Sequence, residues 1–300
     1  MTAIKFDIEA LSRPVAAPLI DTHAHLNWPE FAADIVDVLR HARAQGVVGV
    51  LVVAMDQRCE PGLAELVQLA AERDGLPHIA RGLGVHPINA AVETSDLDAL
   101  ERLFDEHADL CAVGECGLDF NLKQMPKGLD DANAALRVRQ HDCLRRQIAL
   151  AVKHQLPLNV HSRSAGHHTI DLIAEALSAV EAERRPPVLM HAFDGKAAHA
   201  KAAAARTDID FYFSVAPSIV RGEQLQKMVA AVPIERLVLE SDAPGLGPVL
   251  GERNVPGNVA ISCRAIAQIL EIDVDRVAHQ TTQNAAKLFA KAFGAFGEAQ

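Results

Sequence analysis

The chain has 300 residues, enough for one large α/β barrel or two smaller domains. Hydrophobic residues make up 49% and charged residues 23%, the balance of a globular protein with material for a large core. A net charge of −10 weighs against a protein that grips nucleic acid mainly by counterion release, and five cysteines without a Cys-x-x-Cys pair weigh against a disulfide framework or a zinc–thiolate site.

Residues 1–16 read as an arm ahead of the first strand, and Met1 to Pro14 contains no apolar stretch of the signal-peptide kind. The longest apolar run, Val47 to Met55, falls far short of the ~20 residues that span a bilayer. A reducing cytoplasmic location without membrane attachment is the expectation.

From Pro18 onward, short β-rich segments alternate with longer Ala/Leu-rich amphipathic ones, the pattern of βα units and a parallel sheet. Strands are expected at Pro18–His23, Val47–Ala54, His78–Val85, Cys111–Gly117, Pro157–His161, Val188–His191, Phe211–Val215 and Leu237–Asp242. Aromatic residues are only 4%, which suits strands built of Val, Ile, Leu and Ala and covered on both faces. Eight units at a spacing of roughly 30 residues predict a (β/α)8 barrel, read here as a single domain over 1–300. An open doubly wound sheet would usually carry a Gly-rich turn after its first strand, where this chain has His-Ala-His. Two loops are expected over the mouth, one at Asn121 to Asp131 and one at Gly245 to Asn258.

A (β/α)8 barrel gathers chemistry at the carboxyl ends of its strands. There the sequence places His23 and His25, then His86, Glu115 with Asp119, His161 with Arg163, His191 and Asp242. His23 and His25 stand two apart on one strand and so project from the same face. Each residue alone has an ordinary reading as a core histidine, a cap or a salt-bridge partner. Together the imidazoles of His23, His25, His161 and His191 and the carboxylates of Glu115 and Asp242 suit two divalent ions (Mg, Mn or Zn), one carboxylate bridging. Whether a third ion binds is left open.

In combination, Asp-Thr-His-Ala-His (21–25), Gly-Val-His-Pro (84–87), Gly-Glu-x-Gly-Leu-Asp (114–119), His-Ser-Arg (161–163), His-Ala-Phe-Asp-Gly (191–195) and Ser-Asp-Ala-Pro (241–244) resemble the TatD family. The resemblance runs in order over nearly the whole chain, ending at Asn284 to Phe289. Asn159 to Gly166 and Leu246-Gly-Pro further resemble the subgroup that includes the third vertebrate paralogue. It implies a metal-dependent deoxyribonuclease with 3′ exonuclease and abasic-site activity, with DNA as substrate. One metal would be held by His23, His25, Glu115 and Asp242, and the other by Glu115, His161 and His191. Asp242 would also orient the attacking water and take its proton. His86 would donate to a phosphoryl oxygen and Arg163 would clamp a phosphate, against the plainer readings of a loop contact and an acidic partner. Asp119 would either orient a ligand imidazole or cap the following turn. One departure is Val255, where the family's loop after the last strand commonly carries Glu.

Two rival readings stand beside this one. A small-molecule hydrolase acting on phosphoesters, lactones or amides would use the same binuclear barrel, and the acidic net charge is its main support. A binding protein with a dead site is disfavoured because no ligand-type residue is missing. No obligate protein partner is indicated.

Overall fold

The computed structural model describes residues 3–89, 94–121 and 130–297. Eight strands, β1 (Leu19–Ala24), β2 (Val47–Ala54), β3 (His78–Leu83), β4 (Leu110–Gly117), β5 (Leu158–His161), β6 (Val188–Met190), β7 (Phe211–Val215) and β8 (Leu237–Leu239), lie side by side in sequence order. Every neighbouring pair is parallel. The seam between β1 and β8 is closed at the carboxyl end, where Ala24 bridges Ala243 and the Asp242 and His25 amides donate to the His23 and Ala243 carbonyls (both 2.8 Å). The expected barrel is the observed fold.

Nearly all strand residues are buried, as expected for strands covered on both faces. The helices wrap the outside: α1 (Ile8–Leu11), α2 (Ile35–Ala44), α3 (Glu60–Ala71), α4 (Thr94–Glu106), α5 (Asp130–His154), α6 (Gly166–Ser178), α7 (Ala197–Ala204), α8 (Glu223–Ala231), α9 (Val259–Leu270), α10 (Val274–Leu288) and α11 (Ala290–Gly297). One apolar cluster fills the space between strands and helices. A second joins Ile20, Leu51, Val53, Ala80, Leu189, Tyr212 and Val238 to Phe289 and Phe293. Phe293 packs at Gly49 and His78, near the starts of β2 and β3, so these last helices plug the amino-terminal end. Leu189 and Val238 stand two residues before His191 and Glu240, so this apolar layer lies directly beneath the polar site.

Phe193, Phe211, Tyr212 and Phe213 are core residues. The arm ahead of β1 is docked rather than loose. Asp7 caps α1, Leu11 and Val15 are buried, and the Ile4 amide donates to Gln226 (2.8 Å). Most of the loop expected at Asn121 to Asp131 lies outside the described residues. Among the described residues, no helix is long and apolar enough to cross a membrane.

The expected strands start within one residue of the observed ones and differ more at their carboxyl ends. The largest shift is in β8, which stops at Leu239 rather than Asp242. Beyond it, Asp21 accepts from the Ser241 amide (2.8 Å) and hydroxyl (2.6 Å), and Asp242 adopts a left-handed φ of 52°. Such a conformation costs on the order of 1–3 kcal/mol in a non-glycine residue. Here it turns the Asp242 carboxylate toward β1.

Candidate metal centre

His23 and His25 leave β1 with their ring nitrogens sorted by their partners. The Nδ1 of His23 meets the side-chain carbonyl of Asn159 (2.8 Å), and the Nδ1 of His25 meets the Val53 carbonyl (3.1 Å). A carbonyl oxygen only accepts, so each Nδ1 carries a hydrogen, and in the neutral ring each Nε2 is left as a lone pair. Asn159 is fixed in that orientation because its amide nitrogen donates to the Thr22 carbonyl (3.1 Å). The two Nε2 atoms converge to 3.2 Å, and the Asp242 Oδ1 lies 3.6 Å from one and 3.5 Å from the other. This is the arrangement the His-x-His spacing predicts.

Glu115 stands between two groups of imidazoles and shows each a different oxygen. Its Oε2 lies 3.4 Å from the His25 Nε2 and 3.7 Å from the His23 Nε2. Its Oε1 lies 2.9 Å from the His161 Nδ1, 3.3 Å from the His86 Nε2 and 3.5 Å from the His191 Nε2. β4 reaches this position because it packs closely on β5. A Cβ at Gly117 (φ 142°) would collide with the His161 carbonyl, and one at Gly114 with that of Asn159. Among the described residues, three groups could hold a cation, each with its ligand atoms within 4.8 Å of one another: His23–His25–Asp242, His23–Glu115–His191 and His86–Glu115–His161.

The grouping differs in one respect from the expected pair of sites. His191 stands nearer His23 than His161: its ring stacks on His23 with centroids 3.6 Å apart, against 6.0 Å to His161. Glu240 holds it there, accepting at Oε2 from the His191 Nδ1 (2.8 Å).

His86 belongs to the third group by distance but differs in chemistry. Its Nδ1 accepts from the Ile88 amide (3.1 Å), so the hydrogen resides on Nε2 and points at Glu115. In that state it is a donor rather than a ligand. Asp119 makes the contacts of both readings, accepting from the His161 Nε2 (3.2 Å) and from the Asn121 amide (2.9 Å). Arg163 lines the cleft and its Nε and Nη2 both donate to Asp119 Oδ2 (3.0 and 2.6 Å). The acidic partner anticipated for it is therefore present.

Burial opposes ionisation of Glu115, yet the imidazoles of His86, His161 and His191 hold its carboxyl well below the usual range. Burial likewise opposes ionisation of Asp242, and His25 and His191 outweigh it. Burial and the charge on His191 push His23 far down, which keeps its Nε2 bare. Burial also disfavours a charged His191, but Glu240 and Glu115 raise it. Beneath them, burial pushes Asp21 up to about 8.

The cluster opens into a cleft of about 220 Å³ at the carboxyl end of the barrel. His25, His86, Glu115, His161, His191 and Asp242 form its polar lining, with Trp28, Met55, Ile88, Arg163, Pro244 and Gly245 around them. Val255 packs on the core, while Arg253 pairs with Asp34 and Asn254 donates to the Ser241 carbonyl (2.7 Å). The loop is thus tied down without a carboxylate at position 255. His41, His107, His167, His168, His199 and His279 belong to none of the three groups.

Sequence reasoning missed Asn159 and Glu240 as residues that orient the ligand-type imidazoles. The signal was available: each stands two residues before a strand-end site residue, His161 and Asp242. Replacing Asn159 by Leu or Glu240 by Gln should weaken divalent-metal affinity about 10–100-fold with the fold retained. Calorimetric titration of the metal-stripped variants measures this, and wild-type affinity in both would show that neither orients a ligand.

Residues 20–290 match the family described as TatD related DNase. The human deoxyribonuclease TATDN3 is 38% identical over 287 residues, covering 93% of this chain and 97% of its own. The uncharacterized metal-dependent hydrolase YabD of Bacillus subtilis is 30% identical over 275 residues, covering 90% and 98%. The crystal structure of the TatD homologue YJJV from Escherichia coli superposes with a TM-score of 0.75 at 25% identity, covering 91% and 98%. Each relative is matched along almost its whole length. The chain belongs to the TatD family.

Proposed function

We propose that this protein is a divalent-metal-dependent phosphodiesterase that removes nucleotides from the 3′ end of DNA and also cuts at abasic sites. The observation that carries the reading is the split of Glu115, with Oε2 facing His23 and His25 and Oε1 facing His161 and His191. That is the posture of a carboxylate shared between two cations. The donor set fits such ions: every candidate ligand is nitrogen or oxygen, and two Nε2 lone pairs already face one point. His23, His25, Asp242 and the Oε2 of Glu115 would hold one ion. His161 and the Oε1 of Glu115 would hold the other, completed by His191 reaching in from its place against His23. When bound, such ions lower the pKa of a water toward about 7 and neutralise phosphate charge.

The protein's own groups supply the rest. Asp242 lines the cleft and would take the proton of the attacking water. The His86 Nε2–H is aimed at the site centre, where it would donate to a phosphoryl oxygen, and the Ile88 amide keeps the hydrogen on that nitrogen. Arg163, braced by Asp119, sets a positive charge at the rim for the phosphate. The five free cysteines fit the reducing cytoplasm, where we place the protein.

The test is a 5′-labelled single-stranded DNA oligomer and an abasic duplex, each incubated with Mg²⁺, Mn²⁺ or EDTA. Stepwise 3′ shortening and abasic cleavage are expected with metal and not with EDTA. A metal-loaded protein that leaves both DNAs intact rejects the nuclease reading. A second reading, a hydrolase of small phosphoesters, lactones or amides, is favoured by the small cleft and the net charge of −10. Panels of those compounds decide it. His86→Ala should lower turnover about 10²–10³-fold with metal content unchanged by plasma emission. Loss of metal instead would make His86 a ligand.

A further inference from the structure

We propose that Trp28, Met55 and Ile88 form a stacking wall for the nucleobase adjoining the phosphate at the metal centre. The inference rests on the phosphodiesterase reading and names what the site holds beside the phosphate.

The three residues arrive from the segments after β1, β2 and β3 and line one cleft together with His25, His86 and Glu115. Trp28 is the single tryptophan of the chain. Its ring lies over the His25 imidazole, with centroids 5.0 Å apart and planes 23° from parallel, and it is only half-buried. Ile88 is 46% exposed, one of few large hydrophobic residues so exposed among the described residues. Scattered exposed apolar side chains are ordinary. Three converging beside a floor of carboxylates and imidazoles are not scattered.

The wall is also braced to the residue assigned to the phosphate. The Met55 carbonyl accepts from the His86 amide (2.9 Å) and from the Asn89 side chain (3.1 Å), while the Ile88 amide donates to the His86 Nδ1 (3.1 Å). Phosphate donor and apolar wall therefore keep a fixed relation. Bases present flat faces that stack on aromatic side chains with little regard to sequence, and thioether sulfur adds to such contacts. At about 220 Å³ the cleft is smaller than the ~300–1,000 Å³ of ordinary ligand pockets, which suits one base rather than a stack of two.

Because Trp28 is the one indole, its emission reports on this wall alone. Mg²⁺-loaded wild-type protein is titrated with thymidine 5′-monophosphate and with 2-deoxyribose 5-phosphate, following heat and emission in parallel. The nucleotide should change Trp28 emission with the calorimetric midpoint. The base-free sugar phosphate should bind about tenfold more weakly and leave emission unchanged. In Trp28→Ala the two affinities should converge, whereas Trp28→Phe should keep most of the gap; the sugar phosphate serves as internal reference for an intact site. Nucleotide binding without an emission change, or equal wild-type affinities, overturns the wall and leaves the phosphodiesterase reading standing. If neither compound nor a DNA oligomer binds the metal-loaded protein, both fall.

Discussion

Glu115→Gln is expected to reduce DNA hydrolysis by about 10³-fold or more, the largest loss of any single substitution. A cation at a phosphoryl oxygen is worth several kcal/mol in the transition state, and ~1.4 kcal/mol is tenfold in rate. Among the described residues, Glu115 is the one side chain within ion-pair distance of His23, His25, His86, His161 and His191 together. Replacing one of its oxygens by an amide nitrogen removes the charge and turns a donor toward imidazoles that should face a cation. Gln keeps the volume, so no cavity opens, and a neutral amide is less costly to bury than a carboxylate. The metal-free variant should therefore melt near the metal-free wild type while binding less metal. Wild-type metal content together with more than a tenth of wild-type activity would remove Glu115 from its proposed role.

How far the site was legible follows from which residues share a strand. His23 and His25 were readable as a pair because alternation along one strand forces them to one face, and the structure brings their Nε2 atoms together. The other ligand types were readable because a barrel collects its strand ends at one mouth, so chain order served as spatial order. The length of β8 was not readable. Val238 and Leu239 suggest a strand that continues, and only the tertiary bonds from Asp21 and β1 show where the ladder yields to the turn bearing Asp242. His86 was readable as a donor, but the hydrogen bond from Ile88 that keeps its hydrogen on Nε2 is encoded by no pattern. The wall of Trp28, Met55 and Ile88 is illegible for a related reason: its members come from three separate βα units and carry no common spacing. Arg163 was readable as a strand-end cation, but its pairing with Asp119 depends on the register of β4 against β5.

Adding Mg²⁺, Mn²⁺ or Zn²⁺ to the metal-stripped protein is expected to raise its melting temperature by about 4 °C per occupied site. A ligand at ~100 times its Kd that binds only the native state contributes about 2.7 kcal/mol. At ~2.1 cal/mol/K of unfolding entropy per residue, each kcal/mol is worth about 1.6 °C for a 300-residue chain. The physical source is the buried charge. Glu115 is 2% exposed and Glu240 fully buried, while His23 and His191 are buried beside them. With burial opposing every charge in it, the cluster leans on imidazoles to compensate its carboxylates, and divalent cations would do so more strongly. The shift should shrink toward zero in Glu115→Gln at the same metal concentration. It should persist in His279→Ala, whose imidazole is exposed and bonds its own helix at the Asp275 carbonyl. A shift of equal size in all three proteins would place the cation outside the barrel mouth. A shift confined to the proteins that keep Glu115 ties stabilisation and catalysis to one carboxylate, by a measurement that requires no substrate.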